Sequence, residues 1–203
     1  MKFNYKITKN ENSITLLLLP VIFYSSTFLF EKYGDGDKGY NFATGSIKAD
    51  YKNEIVPMIQ DIAKNLNEVF EKKLNGEKII FADLFSPKAP NVYPLFTFEV
   101  NQAGDQTGNI AVSCRAKNAN NKPLLFTNLA ETEVIKKEEA YKPQYAIELE
   151  LKAYFNDESL QKGIFAIFHR GIKCGTRDDL TDGYAKNDKA WDGFDFVDDG
   201  LPF

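Results

Sequence analysis

Apolar and polar positions alternate with a period of two along much of this chain. In YAIELELKAYF, 145–155, Tyr145, Ile147, Leu149, Leu151, Ala153 and Phe155 fall on one face. Glu148, Glu150, Lys152 and Tyr154 fall on the other. Successive side chains point to opposite sides of a strand, so this is a strand with one buried face. NIAVSCRAKN, 109–118, reads alike, with Ile110, Val112 and Cys114 inward and Ser113, Arg115 and Lys117 outward. In YNFATGSIKA, 40–49, Tyr40, Phe42, Thr44, Ser46 and Lys48 share one face. KGIFAIFHRGIKCG, 162–175, is apolar enough for a central strand, and LLFTN, 124–128, gives a short one.

One segment changes period. Ile55, Ile59, Ile62, Leu66, Val69 and Phe70 recur at helical spacing. Asn53 or a neighbour caps this helix, Pro57 lies in its first turn and Gly76 ends it. The stripe is core packing. KIIFADLF, 78–85, and LFTFEV, 95–100, flank a loop holding Pro87, Pro90 and Pro94. GDGDKG, 34–39, and NANNKP, 118–123, are turns by composition.

SITLLLLPVIFYSSTFLF, 13–30, imitates a membrane span. It is shorter than the ~20 apolar residues a span needs. Pro20, Ser25, Ser26 and Thr27 interrupt it, and no clean cleavage site follows. It reads as buried strand with a break at Pro20, and no membrane partner is expected. Many strands, regular turns and one helix predict a mainly β chain with one inserted helix, an α+β arrangement. An OB-fold barrel fits best.

Charge divides the chain in two. Its 203 residues carry a net charge of −4, yet eight Asp and two Lys fall within 178–203. The remaining 21 acids and 23 bases leave 1–177 mildly basic. A basic body with an acidic appendage suggests a nucleic-acid or membrane binder on charge alone. The expected division is a binding domain at 1–177 and a disordered acidic tail at 178–203. Cys114 and Cys174 sit in strand-like runs and read as reduced core thiols, which suits a cytoplasmic location.

Several chemical motifs fail on context. Gly34, Gly36 and Gly39 match a dinucleotide-binding pattern, but a strand follows rather than a helix, and Asp35 and Asp37 would repel a pyrophosphate. The same two Asp hint at a calcium loop, but Tyr40 and Ser46 stand where Gly and Glu are required. The single His169 excludes a multi-histidine metal site, and nothing supports a nucleophile–base pair. The expectation is no enzyme, no cofactor and no metal.

Ten Tyr and 17 Phe are many for this length, and cations lie among them. Single-stranded nucleic acid asks for this pairing, with cations for phosphates and ring faces for unstacked bases. Most Phe must serve the core. The candidates on the outward face of a curved sheet are Tyr40, Phe42, Lys48, Arg115, Lys117, Lys152 and Tyr154.

The tail ends in WDGFDFVDDGLPF. Trp191, Phe194, Phe196, Leu201, Pro202 and Phe203 are interleaved with acids, including Asp198 and Asp199. A core uses such a run poorly. As a ligand it would give a partner pocket one Phe, worth roughly 1.5–3 kcal/mol, beside a basic rim. It could equally lie in its own basic groove until nucleic acid expels it.

DDGLPF, 198–203, resembles the acidic tip of bacterial single-stranded DNA-binding proteins, which recruits replication and repair enzymes. The body is similar to phage-type single-stranded DNA-binding proteins. FYSSTFLFEKYG, GYNFATGSIKAD, the 53–75 helix and AVSCRAKNANNKPLLF carry that likeness, followed by the paired strands at 145–155 and 162–175. The apolar run 14–23 does not map onto the family. The resemblance implies an OB-fold with an inserted helix, sequence-independent coating of single-stranded DNA, and possible homodimers. It also implies a polymerase, helicase or nuclease partner at the tip, in replication, recombination and repair in a bacteriophage-infected cell. The rivals are a protein-interaction or structural phage protein without DNA binding, and an RNA-binding or annealing protein.

Overall fold

The computed structural model describes residues 2–23, 41–87, 95–101, 103–116, 124–141, 143–159 and 161–176. Among the described residues, nine strands form one sheet: β1 (Asn4–Lys9), β2 (Ile14–Phe23), β3 (Asn41–Ile47), β4 (Phe85–Ser86), β5 (Phe96–Val100), β6 (Gln106–Ala116), β7 (Leu125–Phe126), β8 (Pro143–Asn156) and β9 (Gln161–Thr176). The main helix, α1, spans Val56–Phe70, and a single turn, α2, spans Phe81–Leu84.

The order β6-β3-β2-β8-β9 closes on itself because β9 also pairs with β6. That last pairing is parallel, with Arg115 opposite Ile167 and Ala116 opposite Phe168. A closed five-stranded ring with antiparallel neighbours and one parallel seam is an OB-type barrel. Its helix lies between β3 and β6, as an inserted element. β5 and β4 extend the ring beyond β6, and β1 pairs alongside β2.

The run that failed to match any family segment, 14–23, is a barrel stave. Ile14, Leu16, Leu18, Val21 and Phe23 are fully buried. Pro20 does not break the strand as the sequence suggests. The β8 register shifts between Leu18 and Val21, and Pro20 sits within that irregularity. A ladder defect is where a missing N–H costs least.

Asp50 rather than Asn53 caps the helical segment, accepting from the backbone N–H groups of Lys52 and Asn53. The chain enters through one π-helical turn, Tyr51–Ile55, and Pro57 lies in the first turn of α1. Met58, Ile59, Ile62, Ala63, Leu66 and Phe70 are buried, and α1 packs on β1, β2 and β8. Tyr5 Oη donates to Asp61 at 2.6 Å and Lys9 pairs with Glu68 at 2.7 Å, tying β1 to the helix. Burial, and then Asp61, push the Tyr5 phenol up. Asn67 holds the incoming 79–80 segment by exchanging two hydrogen bonds with the Ile79 backbone, both 2.8 Å. KIIFADLF therefore leads through α2 into a two-residue strand.

Cys114 and Cys174 are buried and form no disulfide with each other, as read from the sequence. Among the described residues, no helix is long and apolar enough to cross a membrane.

Candidate nucleic-acid interface

The outer face of the β8–β9 hairpin carries the even-numbered residues of β8. The register divides it into three zones. At the far end from the hairpin turn, Ala146 pairs with Ile172, and both are buried with Leu19 and Phe126. The segment around β7 thus covers this end and closes it to ligands.

The middle zone is ionic. Arg170 donates from Nε to Glu148 at 2.8 Å and from Nη1 to Glu131 at 2.6 Å. Opposite Glu148 and Leu149, β9 supplies Arg170 and Phe168, so His169 is an extra, bulged residue. His169 Nε2 lies 3.4 Å from Glu150 Oε2, and Lys152 Nζ lies 3.0 Å from Glu150 Oε1. Burial opposes ionisation of Glu150, but bonds from Lys152, Ser13 and His169 outweigh it and hold the carboxyl below its usual range. The cations here already have carboxylate partners.

The third zone lies nearest the hairpin turn and is open. Lys152 pairs with Phe165, and Tyr154 with Gly163. Tyr154 and Phe165 keep 38% and 41% of their surface exposed, two neighbouring rings rather than one scattered apolar side chain. Their centroids are 4.7 Å apart and the planes are tilted by 30°. The Arg115 guanidinium lies 5.7 Å from the Phe165 centroid, within cation–π range, brought across the parallel seam by β6. The β3 register sets Phe42 opposite Arg115. Two open rings and a guanidinium thus share one patch where β6, β8 and β9 meet, beside the Lys152–Glu150 pair.

Of the residues predicted from sequence, Arg115, Lys152 and Tyr154 come together here, and Phe42 occupies the adjoining register position on β3. Lys48 is exposed beyond the other end of β3, about 20 Å along the strand at 3.3 Å per residue. Tyr40, Lys117 and the whole tail, from Trp191 through Phe194, Phe196, Asp198, Asp199, Leu201 and Pro202 to Phe203, lie outside the described residues. Sequence reading missed Phe165, the partner of Tyr154. A signal existed: extending the β8–β9 ladder inward from Asn156 and Gln161 sets Phe165 opposite Lys152, on the outward face.

No family model matches the chain, and no curated protein matches it by sequence. Solved structures do resemble it. The single-stranded DNA-binding protein of bacteriophage Enc34, solved in complex with single-stranded DNA, superposes with a TM-score of 0.50 at 13% identity. That match covers 83% of this chain and 93% of that one. The same phage protein in another structure gives 0.48 at 13%, covering 95% and 100% of the two chains. Gp2.5, the single-stranded DNA-binding protein of bacteriophage T7, gives 0.42 at 11%, covering 91% and 97%. At such identity the likeness is one of fold. The chain has the OB-type fold, with its inserted helix, that is found in a phage single-stranded DNA-binding protein.

Proposed function

We propose that this protein binds single-stranded DNA without sequence preference and coats it during phage DNA replication, recombination and repair. The observation that carries the reading is the exposed Tyr154–Phe165 pair under Arg115, on the outer face of the closed barrel. Ring faces take any base, which removes the need for sequence readout, and each stacked base is worth about 1–3 kcal/mol. In OB-folds the face of the second and third barrel strands and the loop between the fourth and fifth receive oligonucleotides. Here those strands are β3 and β6, and that loop joins β8 to β9. The patch lies at that junction.

The barrel acts by binding alone, with no chemical step, in the cytoplasm of a bacterial host. The acidic segment 178–203 is the recruiting element, its aromatics and Phe203 serving as ligand for a polymerase, helicase or nuclease. Its charge also suits it to compete for the cationic face.

The test is anisotropy of labelled oligo-dT, titrated with the full chain and with a version stopped after Arg177, at two salt concentrations. The expected result is binding that weakens with salt, at about −0.7 per phosphate neutralised. Tighter binding by the shorter chain, with a gap that closes as salt rises, supports the competing tail. Absence of binding by both forms overturns the DNA reading. Preference for oligo-U would turn it toward RNA.

A further inference from the structure

Resting on the single-stranded DNA reading, we infer that Gly163 is a positioning residue of the interface. It takes no part in contact with the ligand. Its bare Cα is what lets the Tyr154 ring lie across β9 and meet Phe165.

Tyr154 and Gly163 are directly opposed on β8 and β9. A Cβ built on Gly163 would lie 2.5 Å from Tyr154 Oη, 2.6 Å from Cζ and 2.7 Å from Cε1. All three nearest atoms belong to that one phenol ring. The ring therefore occupies the space that any other residue's side chain would fill. An aromatic covering a cross-strand glycine is a known packing device, and it holds the ring down against the strand. Here the ring that is held down also stands 4.7 Å from Phe165, whose own position opposite Lys152 places it two residues further along β9 on the same face. Gly163 needs no special backbone conformation to explain it, since it is absent from the glycines of positive φ. What its lack of a side chain supplies is room for Tyr154.

The three nearest atoms that a methyl group would meet lie at the far end of a partly exposed side chain, and none of them is backbone. Tyr154 can swing toward solvent and leave the ladder intact. The substitution Gly163→Ala should thus separate the two rings without unfolding the barrel. A strand glycine replaced by alanine otherwise gains slightly in stability.

The experiment is a double-mutant cycle on the full chain, read by oligo-dT anisotropy and by ring-proton chemical shifts of Phe165. The variants are Gly163→Ala, Tyr154→Ala and the pair together. If Gly163 acts through Tyr154, Gly163→Ala alone weakens binding about 3- to 30-fold. It also moves the Phe165 shifts, leaves the salt slope unchanged, and adds less than twofold in the Tyr154→Ala background. Equal affinity of wild type and Gly163→Ala, or an undiminished loss in the Tyr154→Ala background, overturns the inference. Failure of the wild-type protein to bind oligo-dT would instead overturn the DNA reading, and the Phe165 shifts would still report whether the glycine positions the ring. If Gly163→Ala lowers the thermal midpoint by several degrees, Gly163→Ser gives a second polar probe of the same space. The same coupling to Tyr154 is required of it.

Discussion

Arg170 reaches Glu148 across the β8–β9 ladder with its Nε 2.8 Å from the carboxylate, and the two residues are register partners. Desolvation would lower the guanidinium pKa, but the bonds to Glu148 and Glu131 outweigh it and favour the charged form. This cation is committed to the fold. Arg170→Ala is expected to cost about 0.5–1.5 kcal/mol, the net worth of a partly exposed charged hydrogen-bond set. Oligo-dT affinity should change less than twofold. Urea unfolding at constant m-value, paired with anisotropy, checks both halves.

Arg115 holds its guanidinium 5.7 Å from the Phe165 ring centroid, in the open patch. Arg115→Ala should weaken oligo-dT binding and flatten the dependence of log K on log salt by about 0.7, the loss of one phosphate contact. Phe165→Ala should weaken binding by about 5- to 150-fold, matching 1–3 kcal/mol for a stacked base. It should leave the salt slope untouched. Titrations at four salt concentrations separate the two signatures.

Gly45 answers to packing alone. It pairs with Phe23 on β2 and Val112 on β6, inside the ring. An added Cβ would collide with Val21 Cγ1 and press on Phe23 and Val112, all fully buried. Gly45→Ala is expected to destabilise by about 1–3 kcal/mol through overpacking. Val21→Ala in the same chain should recover part of that loss, measurable as a shift of the thermal midpoint.

Asp50 links stability to pH. Hydrogen bonds from the Asn53 and Lys52 backbone hold its carboxyl below the usual aspartate range. A depressed folded-state pKa means the native state favours the ionised cap. Its contribution is full above the unfolded value, about 3.9, and fades as pH falls through the lower folded value. Asp50→Ala should lower the thermal midpoint at neutral pH, and the gap should close as pH falls below the unfolded value and through the lower folded one. Asp50→Asn, which keeps an acceptor, should fall between the two.

Burial pushes the Cys114 thiol up to about 12, so its reactive thiolate is suppressed at neutral pH. A disulfide-exchange reagent should label neither thiol of the native chain promptly and both in denaturant. Time-resolved absorbance distinguishes these.

The barrel was legible where one face of a strand is wet. The alternation in β6 and β8 named the buried residues, Val112 and Cys114, and Leu149 and Leu151. The helical stripe named Ile59, Ile62 and Leu66 in the same way. β1 escaped because NYKITK is short and only half-buried, and Lys9 falls on the face of Tyr5 and Ile7. Phe165 escaped because β9 is apolar on both faces along 164–168, so periodicity alone cannot say which Phe points outward. Only pairing with β8 decides it. The parallel seam joins segments far apart in the chain, and no local pattern encodes that contact.

The seam has a further consequence, for the order of assembly. β8 and β9 are joined by a tight turn and zip from a local nucleus, whereas Arg115 and Ala116 meet Ile167 and Phe168 only after a long loop closes. Loop-closure entropy delays such contacts. Pulse-labelled hydrogen exchange should therefore protect Leu151 and Ala153 amides before those at the β6–β9 junction, and the reverse order would refute this. The rings arrive with the hairpin and the guanidinium arrives with the seam. A refolding chain thus assembles the proposed binding patch at the moment its topology is completed.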